Sequence, residues 1–580
     1  MYLSTLKVEN YRAIRSAELD FDNTTVLIGE NDCGKSSLLD ALARVLDDDT
    51  EDGGLTFEPR EFHHAKGEDS ASGPIRIRLG FEERRPGEWS DKVYQPIAEL
   101  LPEISKKPRK LYLDLQADAV NEGSSQATWQ LESPDSHRKT SDSAVFQWLR
   151  QMAPIIRITG GMLTGHEISH EPDTGTSPSK TAPSPEIAQL IQRILESTSA
   201  LLSRNTTSMS AELDNGFAAA RELMETRGNY IDWGMLALDR AISEILGKDL
   251  KGLQSSSIAL NESGSFAEKL GFLLLVAALL REHPEGFPPH AEPIWIIEDP
   301  EAHLHPMTLA SVALMLRHID WQKIVTTHSG DFLAAVPLKR IRRLTRYNGV
   351  VHQYRVREHA LSLEDLRRLG YHQRTRNSVA SFSRLWLLVE GESEFWVVPQ
   401  IARLMGYEFA LEGISCIEFA QCGLDPLIKA AHELGIEWHL LADGDDAGQH
   451  YLETAREFLG AREESDHISL LCDLDIEHCF WEKGYSGVYE HHSRLSPAAL
   501  RNSSPAQVIR QAVKKRSKPY LALSVVEAVS EEDSPGIPDV LNKLVETCVR
   551  LAREAPARHA MNNDEPAAKH PGQKEQGGPT

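Results

Sequence analysis

The sequence has few cysteines, no long apolar run and no excess of basic charge. Its six cysteines among 580 residues include no C-x-x-C pair, so neither a disulfide framework nor a zinc ribbon is indicated. The most apolar stretch, LGFLLLVAALL at 270–280, is too short to cross a bilayer, and the N-terminus MYLSTLKVENYR lacks the pattern of a signal peptide. We therefore expect a cytoplasmic protein with no membrane partner.

Acidic residues outnumber basic ones, with 86 Asp and Glu against 62 Lys and Arg and a net charge of −24. This balance excludes a simple basic nucleic-acid coat protein. It does not exclude nucleic-acid binding, which depends on local patches of charge. Three basic stretches are candidates for such patches, at Lys106–Lys110, Lys339–Arg346 and Arg510–Lys518.

A phosphate-binding pattern lies between an apolar run and a predicted helix. Residues 29–36 read G-E-N-D-C-G-K-S and are followed by SLLDALARVL. In a G-x-x-x-x-G-K-S loop, backbone amides surround a phosphate, the lysine reaches the β- and γ-phosphates, and the hydroxyl holds Mg²⁺. The pattern predicts binding of ATP with one Mg²⁺. The predicted nucleotide-binding residues are Gly29, Asn31, Gly34, Lys35, Ser36 and Ser37.

Two later apolar strands end in residues suited to ATP hydrolysis. The run IWIIEDPE at 294–301 ends in Glu298, which can order Mg²⁺, and Asp299, which can position or deprotonate the attacking water. The run VTTHS places His328 where a histidine can sense the γ-phosphate. A plain acidic turn and a structural histidine are the alternatives to these roles.

The pattern of strands, helices and loops divides the chain into five parts. The middle of the chain combines a stretch rich in Pro, Gly, Ser and Thr with helical spacing, and the end has almost no apolar residues beyond alanine. Alternating strands and helices in the second half predict a parallel sheet. The predicted parts are an N-terminal α/β part at 1–157, a helical insert at 158–250, its C-terminal continuation at 251–378, a second α/β domain at 379–552 and a disordered tail at 553–580.

Acidic clusters follow the strands of the second domain. They are Glu390, Glu392 and Glu394 after LWLLV, Asp443, Asp445 and Asp446 after WHLLA, and Asp473, Asp475 and Glu477 in LLCDLDIEHCFWE. Because parallel strands end at one edge of a sheet, these carboxylates can converge on metal ions. Taken singly, each cluster is better explained as a plain turn, but three acidic strand ends in one series are harder to explain in this way. An EF-hand is excluded, because its fifth and twelfth positions hold Ala447 and Thr454. Zinc binding by Cys472, His478 and Cys479 stays open but lacks the standard spacing.

The first half resembles the ABC-type ATPases of the RecF, SMC and OLD group. The resemblance rests on KVENYRAIRSAELDF, VLIGENDCGKSSLLDAL, IIEDPEAHLHP and VTTHS. It implies a signature loop that closes on the nucleotide of a second copy. The candidate residues for this loop are Ser263 and Gly264 in LNESGSF, which departs from L-S-G-G-[QE]. The acid pair Glu298–Asp299 departs as well, since many relatives have Asp-Glu or Glu-Glu. We expect slow ATP turnover, because Asp is one methylene shorter than Glu.

VEGESE together with ADGDDAG resembles the Toprim fold of topoisomerases, primases and OLD-family nucleases. The pattern of that fold is a Glu after the first strand and D-x-D after a later one, which Glu390, Asp443 and Asp445 match. In OLD nucleases an acid four residues after the Glu also binds metal, and Glu394 fits this position. The resemblance implies a site with two Mg²⁺ or Mn²⁺ ions.

The OLD nucleases also have a further acid and a lysine downstream. Glu477 fits the acid, and Lys518 fits the lysine, with Lys514 and Lys515 as alternatives. A lysine there would stabilise the charge that builds up on the phosphate in the transition state. A solvated surface is the alternative explanation for the basic run that contains these lysines.

An ABC-type ATPase followed by a Toprim domain is the architecture of OLD proteins. The resemblance implies an α/β fold with a helical insert that mediates dimerisation, so we expect a homodimer. It also implies DNA as the substrate and a role in phage defence or DNA repair. A helicase or another defence protein is a further candidate partner. The alternative is a nucleotide-gated DNA clamp of the SMC or RecF kind without nuclease activity. The P-loop disfavours a type II topoisomerase, and the Toprim half disfavours a transport ATPase.

Overall fold

The computed structural model describes a large part of the chain in two compact units. The described residues are 1–46, 55–65, 71–102, 106–119, 123–159, 291–301, 309, 313, 316, 321–374, 378–471 and 474–562. Contacts group Met1–Leu27 with Gly34–Val336, and Ile28–Cys33 with Pro337–Thr580. The predicted helical insert from 160 onward and the candidate signature residues Ser263 and Gly264 lie outside the described residues.

The first unit contains twelve described strands and three described α-helices. The strands are β1 (Tyr2–Tyr11), β2 (Ile14–Asp20), β3 (Thr24–Gly29), β4 (Thr56–Phe57), β5 (Ile75–Glu82), β6 (Lys110–Ala117), β7 (Ser125–Gln126), β8 (Thr128–Glu132), β9 (Lys139–Thr140), β10 (Ile155–Thr159), β11 (Ile294–Glu298) and β12 (Gln322–Thr326). The helices are α1 (Lys35–Leu46), α2 (Ser143–Met152) and α3 (Gly330–Ala334). Short 3₁₀ turns lie at Pro59–Glu61, Glu88–Ser90 and Lys92–Ile97.

Four neighbouring strands of this unit run parallel in the order β10-β11-β12-β3. All five residues of β11 and all five of β12 are buried, as expected for parallel strands covered on both faces. The carboxyl ends of β3, β11 and β12 therefore lie at the same edge of the sheet. The predicted P-loop, acid pair and histidine all follow these three ends.

The remaining larger strands of the first unit are antiparallel, in the order β2-β1-β5-β6-β8-β9. In β5 the apolar residues Ile75, Ile77 and Leu79 are buried, whereas Arg76 and Arg78 are exposed. This alternation is the one that the sequence IRIRL predicts for a strand with one buried face. The pair β4 and β7 forms a separate short ladder.

The second unit begins with a hairpin and continues as alternating strands and helices. Its strands are β13 (Ile341–Tyr347), β14 (Val350–Tyr354), β15 (Leu385–Val389), β16 (Ile414–Glu418), β17 (Glu437–Ala442) and β18 (Ile468–Leu470). Its helices are α4 (Leu363–His372), α5 (Glu392–Leu404), α6 (Phe409–Glu412), α7 (Leu424–Glu433), α8 (Asp446–Arg456), α9 (Glu464–His467), α10 (Ile476–Phe480), α11 (Ser486–Ser493), α12 (Pro497–Arg501), α13 (Pro505–Lys515), α14 (Lys518–Val529) and α15 (Asp539–Asn562). Other helical turns lie at Leu338–Arg340, Ser378–Phe382 and Trp481–Tyr485.

The main sheet of the second unit has four strands, all parallel, in the order β16-β15-β17-β18. On β15, Leu387 packs in a core with α5, α14 and α15, and Leu388 packs in another core with α7 and α8. Helices therefore cover both faces, which explains why every residue of β15 and β17 is buried. The predicted α/β class and the parallel sheet of the second half are confirmed.

Residues 337–378 pack with the second unit, although the sequence analysis assigned them to the first part. Arg343 of β13 is buried and donates to the backbone carbonyls of Gly435 at 2.6 Å and Ser383 at 2.9 Å. The hairpin of β13 and β14 turns at Asn348 and Gly349, both at positive φ, as the N-G pair predicts. Tertiary contacts, rather than a local pattern, thus set this boundary.

The helix α15 includes residues 553–562, which the sequence analysis placed in a disordered tail. Glu554 accepts hydrogen bonds from Arg550 at 3.4 Å and Arg558 at 3.0 Å, four residues before and after it. Arg558 also donates to Asp466 at 3.0 Å, and Ala555 is buried. These pairs and contacts extend the helix beyond the expected point. Among the described helices, none is both long and apolar enough to cross a bilayer.

Candidate functional site

The P-loop turns sharply between the end of β3 and the start of α1. Asp32 and Gly34 have positive φ, at 68° and 101°. Lys35 is the first helical residue and is 7% exposed, whereas Asn31 and Ser36 are exposed. The amides of a first helical turn lack intrahelical acceptors and attract anions. The loop therefore has the form of a phosphate cradle.

Gly29 occupies a position where a side chain would not fit. Its φ is 153°, and an added Cβ would lie 2.4 Å from the carbonyl oxygen of Leu344. The first glycine of the motif is therefore required by a close backbone approach. Ser37, the last predicted nucleotide-binding residue, is half-buried in the first turn of α1.

Two acidic side chains of the P-loop form ion pairs within the second unit. Glu30 pairs with Arg384, and Asp32 Oδ2 accepts from Arg346 Nη2 at 3.1 Å. These arginines neutralise carboxylates that would otherwise repel a bound phosphate.

Glu298, Asp299 and His328 lie together at the carboxyl edge of the parallel strands. Glu298 Oε1 accepts from Arg157 Nε at 2.6 Å. Asp299 adopts a φ of 46°, and its N–H donates to the carbonyl of Thr326 at 3.1 Å. His328 Nε2 is 4.0 Å from Asp299 Oδ1. The structure thus brings together the three residues that the sequence predicted for ATP hydrolysis.

The sequence analysis missed two residues that position this group. Arg157 pairs with Glu298. The sequence feature that could have indicated it is a single arginine in the apolar run PIIRI. Glu301 accepts from the Thr327 hydroxyl at 2.9 Å and from the His328 N–H at 2.5 Å. It thereby fixes the loop that carries the histidine.

The five predicted metal ligands come from three strand ends of the second unit. Glu390 directly follows β15, and Glu394 lies in the first turn of α5. Asp443 directly follows β17, and Asp445 caps the N-terminus of α8. Glu477 lies in the first turn of α10, after β18. Since these strands are parallel, their carboxylates lie at one edge of the sheet.

The charges of these five residues raise one another's pKa values in several pairs. Burial and the nearby charges of Glu394 and Glu390 raise the pKa of Asp443 to about 8. Burial, followed by the charge of Glu477, raises the pKa of Glu394 to about 7. Burial and Asp445 raise the pKa of Glu390 above its ordinary value. Close carboxylates compete for protons in this way when no cation separates them.

Lys518, the first residue of α14, extends into the same cluster. Its Nζ is 3.9 Å from Glu477 Oε1. Burial alone would lower the pKa of Lys518, but Glu477, Glu394 and other nearby carboxylates raise it. Lys514 and Lys515 are exposed in the last turn of α13. The geometry therefore favours Lys518 over these two alternatives.

Two further residues contact the cluster, and a sequence pattern had marked one of them. Asp475 caps α10 by accepting from the His478 N–H at 2.9 Å, and its charge helps to raise the pKa of Asp443. Asp475 belongs to the acidic run that the sequence analysis noted. Ser393 Oγ donates to Glu477 Oε1 at 2.7 Å, and nothing in the sequence marked it.

The acidic cluster fits a hard divalent cation. Buried Oε2 atoms of Glu390 and Glu477 have no hydrogen-bond partner within the described part of the chain. An all-oxygen set of this kind suits Mg²⁺ or Mn²⁺. In the described ranges, no three His, Cys, Asp or Glu side chains are yet close enough to share one ion.

The zinc alternative gains no support from the positions of its residues. The ring of His478 contacts Asp475, and Cys479 is buried in the apolar core. Cys472 lies outside the described residues.

Two of the three basic stretches contain buried structural arginines. In the first, Arg109 is 5% exposed and binds Glu83 at 2.8 Å. In the second, Arg342 and Arg343 are both buried. These arginines are not available to track a DNA backbone. The charged residues of the third stretch, Arg510–Lys518, are exposed.

Comparison with protein families covers both parts of the chain. Residues 382–445 match the family described as "Overcoming lysogenization defect protein-like, TOPRIM domain". This segment of the second unit, which carries Glu390, Glu394, Asp443 and Asp445, is therefore similar to an OLD-like Toprim domain. Residues 1–380 match the family described as "Protein of unknown function (DUF2813)". The chain belongs to this DUF2813 family.

A curated relative matches nearly the whole chain. It is the uncharacterized protein YbjD of Escherichia coli (strain K12), 30% identical over 566 residues, which are 95% of this chain and 99% of that protein. Among solved structures, the SMC head domain from Thermotoga maritima matches with a TM-score of 0.31 and 14% identity, covering 62% of this chain and all of that one. The C-terminal region of the Xanthomonas campestris pv. campestris OLD protein matches with a TM-score of 0.25 and 16% identity, covering 30% of this chain and 97% of that one.

Proposed function

We propose that this protein is an ATP-binding, divalent-metal-dependent DNA endonuclease of the OLD type. The observation that carries the proposal is the cluster of five carboxylates with Lys518 at one sheet edge, where burial and mutual repulsion raise the pKa of Asp443 to about 8. Structural ion pairs lower carboxylate pKa values, whereas unneutralised acidic clusters of this kind are typical of metal-dependent sites.

Each residue of the cluster has a role in this proposal. Glu390, Glu394, Asp443, Asp445 and Glu477 hold two Mg²⁺ or Mn²⁺ ions. When bound, such ions supply a polarised phosphodiester and an activated water. The ammonium of Lys518 is held beside Glu477 and offsets negative charge that develops on the phosphate.

The P-loop region binds and hydrolyses ATP with one Mg²⁺ in this proposal. Lys35 contacts the phosphates, Glu298 orders the ion, and Asp299 with His328 positions the attacking water. Ser263 and Gly264 complete the site from a second copy, in a homodimer formed through the segment at 158–250. The support is the convergence of Glu298, Asp299 and His328 at one strand edge.

Plasmid nicking with Mg²⁺ or Mn²⁺, with and without EDTA, tests the nuclease. We expect wild-type protein to nick, and both EDTA and Asp443→Asn to abolish cleavage while ATP binding is retained. Asp446→Asn is the matched control, because this neighbouring acid is exposed and outside the cluster. Nicking by Asp443→Asn and Glu390→Gln at the wild-type rate would reject the site.

A nucleotide-gated DNA clamp without nuclease activity is the second candidate. It is favoured by the observation that, among the described residues, no three ligand side chains are positioned for one ion. This alternative predicts ATP-dependent DNA retention with no nicking under any metal condition. An electrophoretic shift assay run beside the nicking assay separates the two functions.

The cellular role that we propose is defence against phage or DNA repair in the cytoplasm. A helicase or another defence protein is the candidate partner. The name of the matched Toprim family supports a connection to phage lysogeny. Plating efficiency of phage, and survival after DNA damage, in cells with wild-type protein or Asp443→Asn distinguish defence from repair.

A further inference from the structure

One stretch of this acidic protein has no carboxylate side chains. From His491 to Val526 there is no Asp or Glu, although 86 of the 580 residues are acidic. The stretch forms the end of α11, then α12 and α13, and most of α14. It contains His491, His492 and the basic residues Arg494, Arg501, Arg510, Lys514, Lys515, Arg516 and Lys518.

The charges of this stretch are accessible and largely unneutralised. Apart from Lys518, none of its lysines and arginines has a carboxylate of the described residues within 4.0 Å. All of them are exposed. Burial, together with the nearby His491, Arg516 and Arg494, holds the pKa of His492 below its ordinary value. Such a surface attracts a polyanion even though the whole chain is acidic.

An exposed aromatic ring lies in the middle of these charges. Tyr520 is 45% exposed, and Leu523, one turn later on α14, is 43% exposed. The guanidinium carbon of Arg516 is 5.0 Å from the centre of the Tyr520 ring, and the His492 ring is 5.4 Å away at 87°. An exposed aromatic ring with a guanidinium beside it is typical of a surface that stacks nucleic-acid bases.

The exposed ring is close to the acidic cluster. Tyr520 follows Lys518 by two residues on α14, so their Cα atoms are about 5.4 Å apart in a regular helix. Lys518 Nζ is 3.9 Å from Glu477 in the cluster. Residues two apart leave a helix in nearly opposite directions, so a strand that contacts both Lys518 and Tyr520 must pass around the N-terminal end of α14.

We propose that the surface formed by His492, Lys514, Arg516, Tyr520 and Leu523, here called the stacking surface, binds an unpaired DNA strand and guides it to Lys518. An unpaired base stacks on Tyr520 and Leu523, and the cations contact the phosphates on either side. A duplex keeps its bases stacked inside and would leave the apolar patch uncovered, so the patch favours a single strand. The inference deepens the proposed nuclease function, on which it rests for the identity of the strand as substrate.

Binding of the full chain to a labelled single strand and to a duplex of the same length, by fluorescence anisotropy in EDTA, tests the surface without cleavage. We expect Tyr520→Ala to weaken single-strand binding by about five- to 150-fold, the value of one stacked base. Duplex binding should change by less than about twofold. Tyr520→Trp should retain single-strand binding, and Tyr371→Ala, which removes another exposed tyrosine, is the matched control.

A lysine of the same surface gives a second, independent readout. Lys514→Gln should lower the salt dependence of single-strand binding by about 0.7 in log–log slope, the release of one counterion. Lys543→Gln, an exposed lysine on α15, should leave the slope unchanged.

Three outcomes decide between the possibilities. Single-strand binding that is indifferent to Tyr520→Ala, or equal losses for duplex and single strand, would overturn the stacking surface. If the wild-type protein nicks DNA but Tyr520→Ala does not change its affinity for single-stranded DNA, only the stacking surface is rejected. If binding depends on Tyr520 but no metal supports nicking, the stacking surface stands and the nuclease proposal fails.

Discussion

Asp443 and Glu394 must release protons before they can bind a cation. Burial and neighbouring carboxylates raise their pKa values to about 8 and about 7. We therefore expect Mn²⁺ affinity to increase between pH 6 and pH 8, by about tenfold per pH unit for each proton released. Calorimetric titration at pH 6, 7 and 8 measures this, with Asp446→Asn as the control. An affinity that is constant over this range would contradict the raised pKa values.

The raised pKa of Asp443 also makes the stability of the metal-free protein decrease as the pH rises. An acid with a raised folded-state pKa gives full stability below its unfolded pKa of about 4, and this stability is lost as pH rises through the folded value. For Asp443 the loss falls between about pH 4 and pH 8. We expect the melting temperature in EDTA to fall over this range, and Asp443→Asn to flatten the decrease. A profile unchanged in the variant would argue against Asp443 as the source.

The absence of a side chain at Gly448 allows the Asp443 backbone to pack closely against it. An added Cβ at Gly448 would lie 1.9 Å from the Asp443 carbonyl oxygen, and the Gly448 N–H donates to Asp445 Oδ1 at 2.8 Å. We expect Gly448→Ala to displace both aspartates and to abolish nicking while circular dichroism stays near wild type. Gly370→Ala, at an open helical position, should leave nicking unchanged. Full nicking by Gly448→Ala would show that the site tolerates this displacement.

Asp299 sits in a backbone conformation that Asp tolerates better than most residues. Its φ is 46°, and Thr326 Oγ1 donates to its Oδ1 at 3.3 Å. We hypothesise slow ATP turnover because this acid is shorter than the Glu of many relatives. Steady-state hydrolysis should be lost in Asp299→Asn with ATP binding retained, and should be equal or faster in Asp299→Glu. A large fall in rate in Asp299→Glu would contradict the hypothesis.

The residues of both sites could be predicted where a motif fixes them, and not where only a contact does. Glu390 and Asp443 directly follow apolar strands, and Lys35 stands in the G-x-x-x-x-G-K-S pattern. Arg157 and Ser393 act through partners more than 80 residues away in sequence. No local pattern contains that information, so only the folded chain shows it.

Strands and helices were predicted best where burial and local pattern agree. The apolar runs of β11, β12, β15 and β17 end in acids or polar turns and are buried throughout. The strand β13 misled the prediction, because its arginines suggested a DNA-binding patch. In the structure Arg342 and Arg343 of this strand are buried, and Arg343 donates to backbone carbonyls of other segments.

Arg343 is therefore a structural link of β13 to the second unit. It donates to the carbonyls of Leu434 at 3.2 Å, Gly435 at 2.6 Å and Ser383 at 2.9 Å. Arg343→Leu leaves these buried acceptors unpaired and should lower the free energy of unfolding by about 2–4 kcal/mol. Chemical denaturation measures the change, with the exposed Arg355→Leu as control. A loss no larger than that of the control would assign Arg343 a minor role.

The order of the two α/β parts along the chain follows from their motifs, but the boundary between them does not. Strand patterns predict that the P-loop and the acid clusters lie in separate parts. Contacts divide the chain into two compact units and group Ile28–Cys33 of the P-loop with the second unit. The basic segment at 337–378 has no sequence feature that assigns it to one part. The buried contacts of this segment assign it to the second unit, and these contacts form only in the folded chain.

A comparison of two fragments tests this boundary. The fragment 337–562 contains the second unit from Pro337 to the end of α15, without Ile28–Cys33, whereas 379–562 begins at the boundary that the sequence predicted. The shorter fragment lacks Val356, Leu361 and Leu369, which pack with Trp386 and Trp438 in one core.

The shorter fragment also loses the ion pair of Arg357 with Glu433, in which Arg357 Nε is 3.0 Å from Glu433 Oε1. Glu433 is buried, and a buried carboxylate without its partner is costly. We expect 337–562 to unfold cooperatively and 379–562 to melt at a clearly lower temperature and to bind hydrophobic dyes. The variant Arg357→Ala in the longer fragment should reproduce part of this loss. Equal melting temperatures for the two fragments would show that residues 337–378 are an appendage of the second unit and not part of its core.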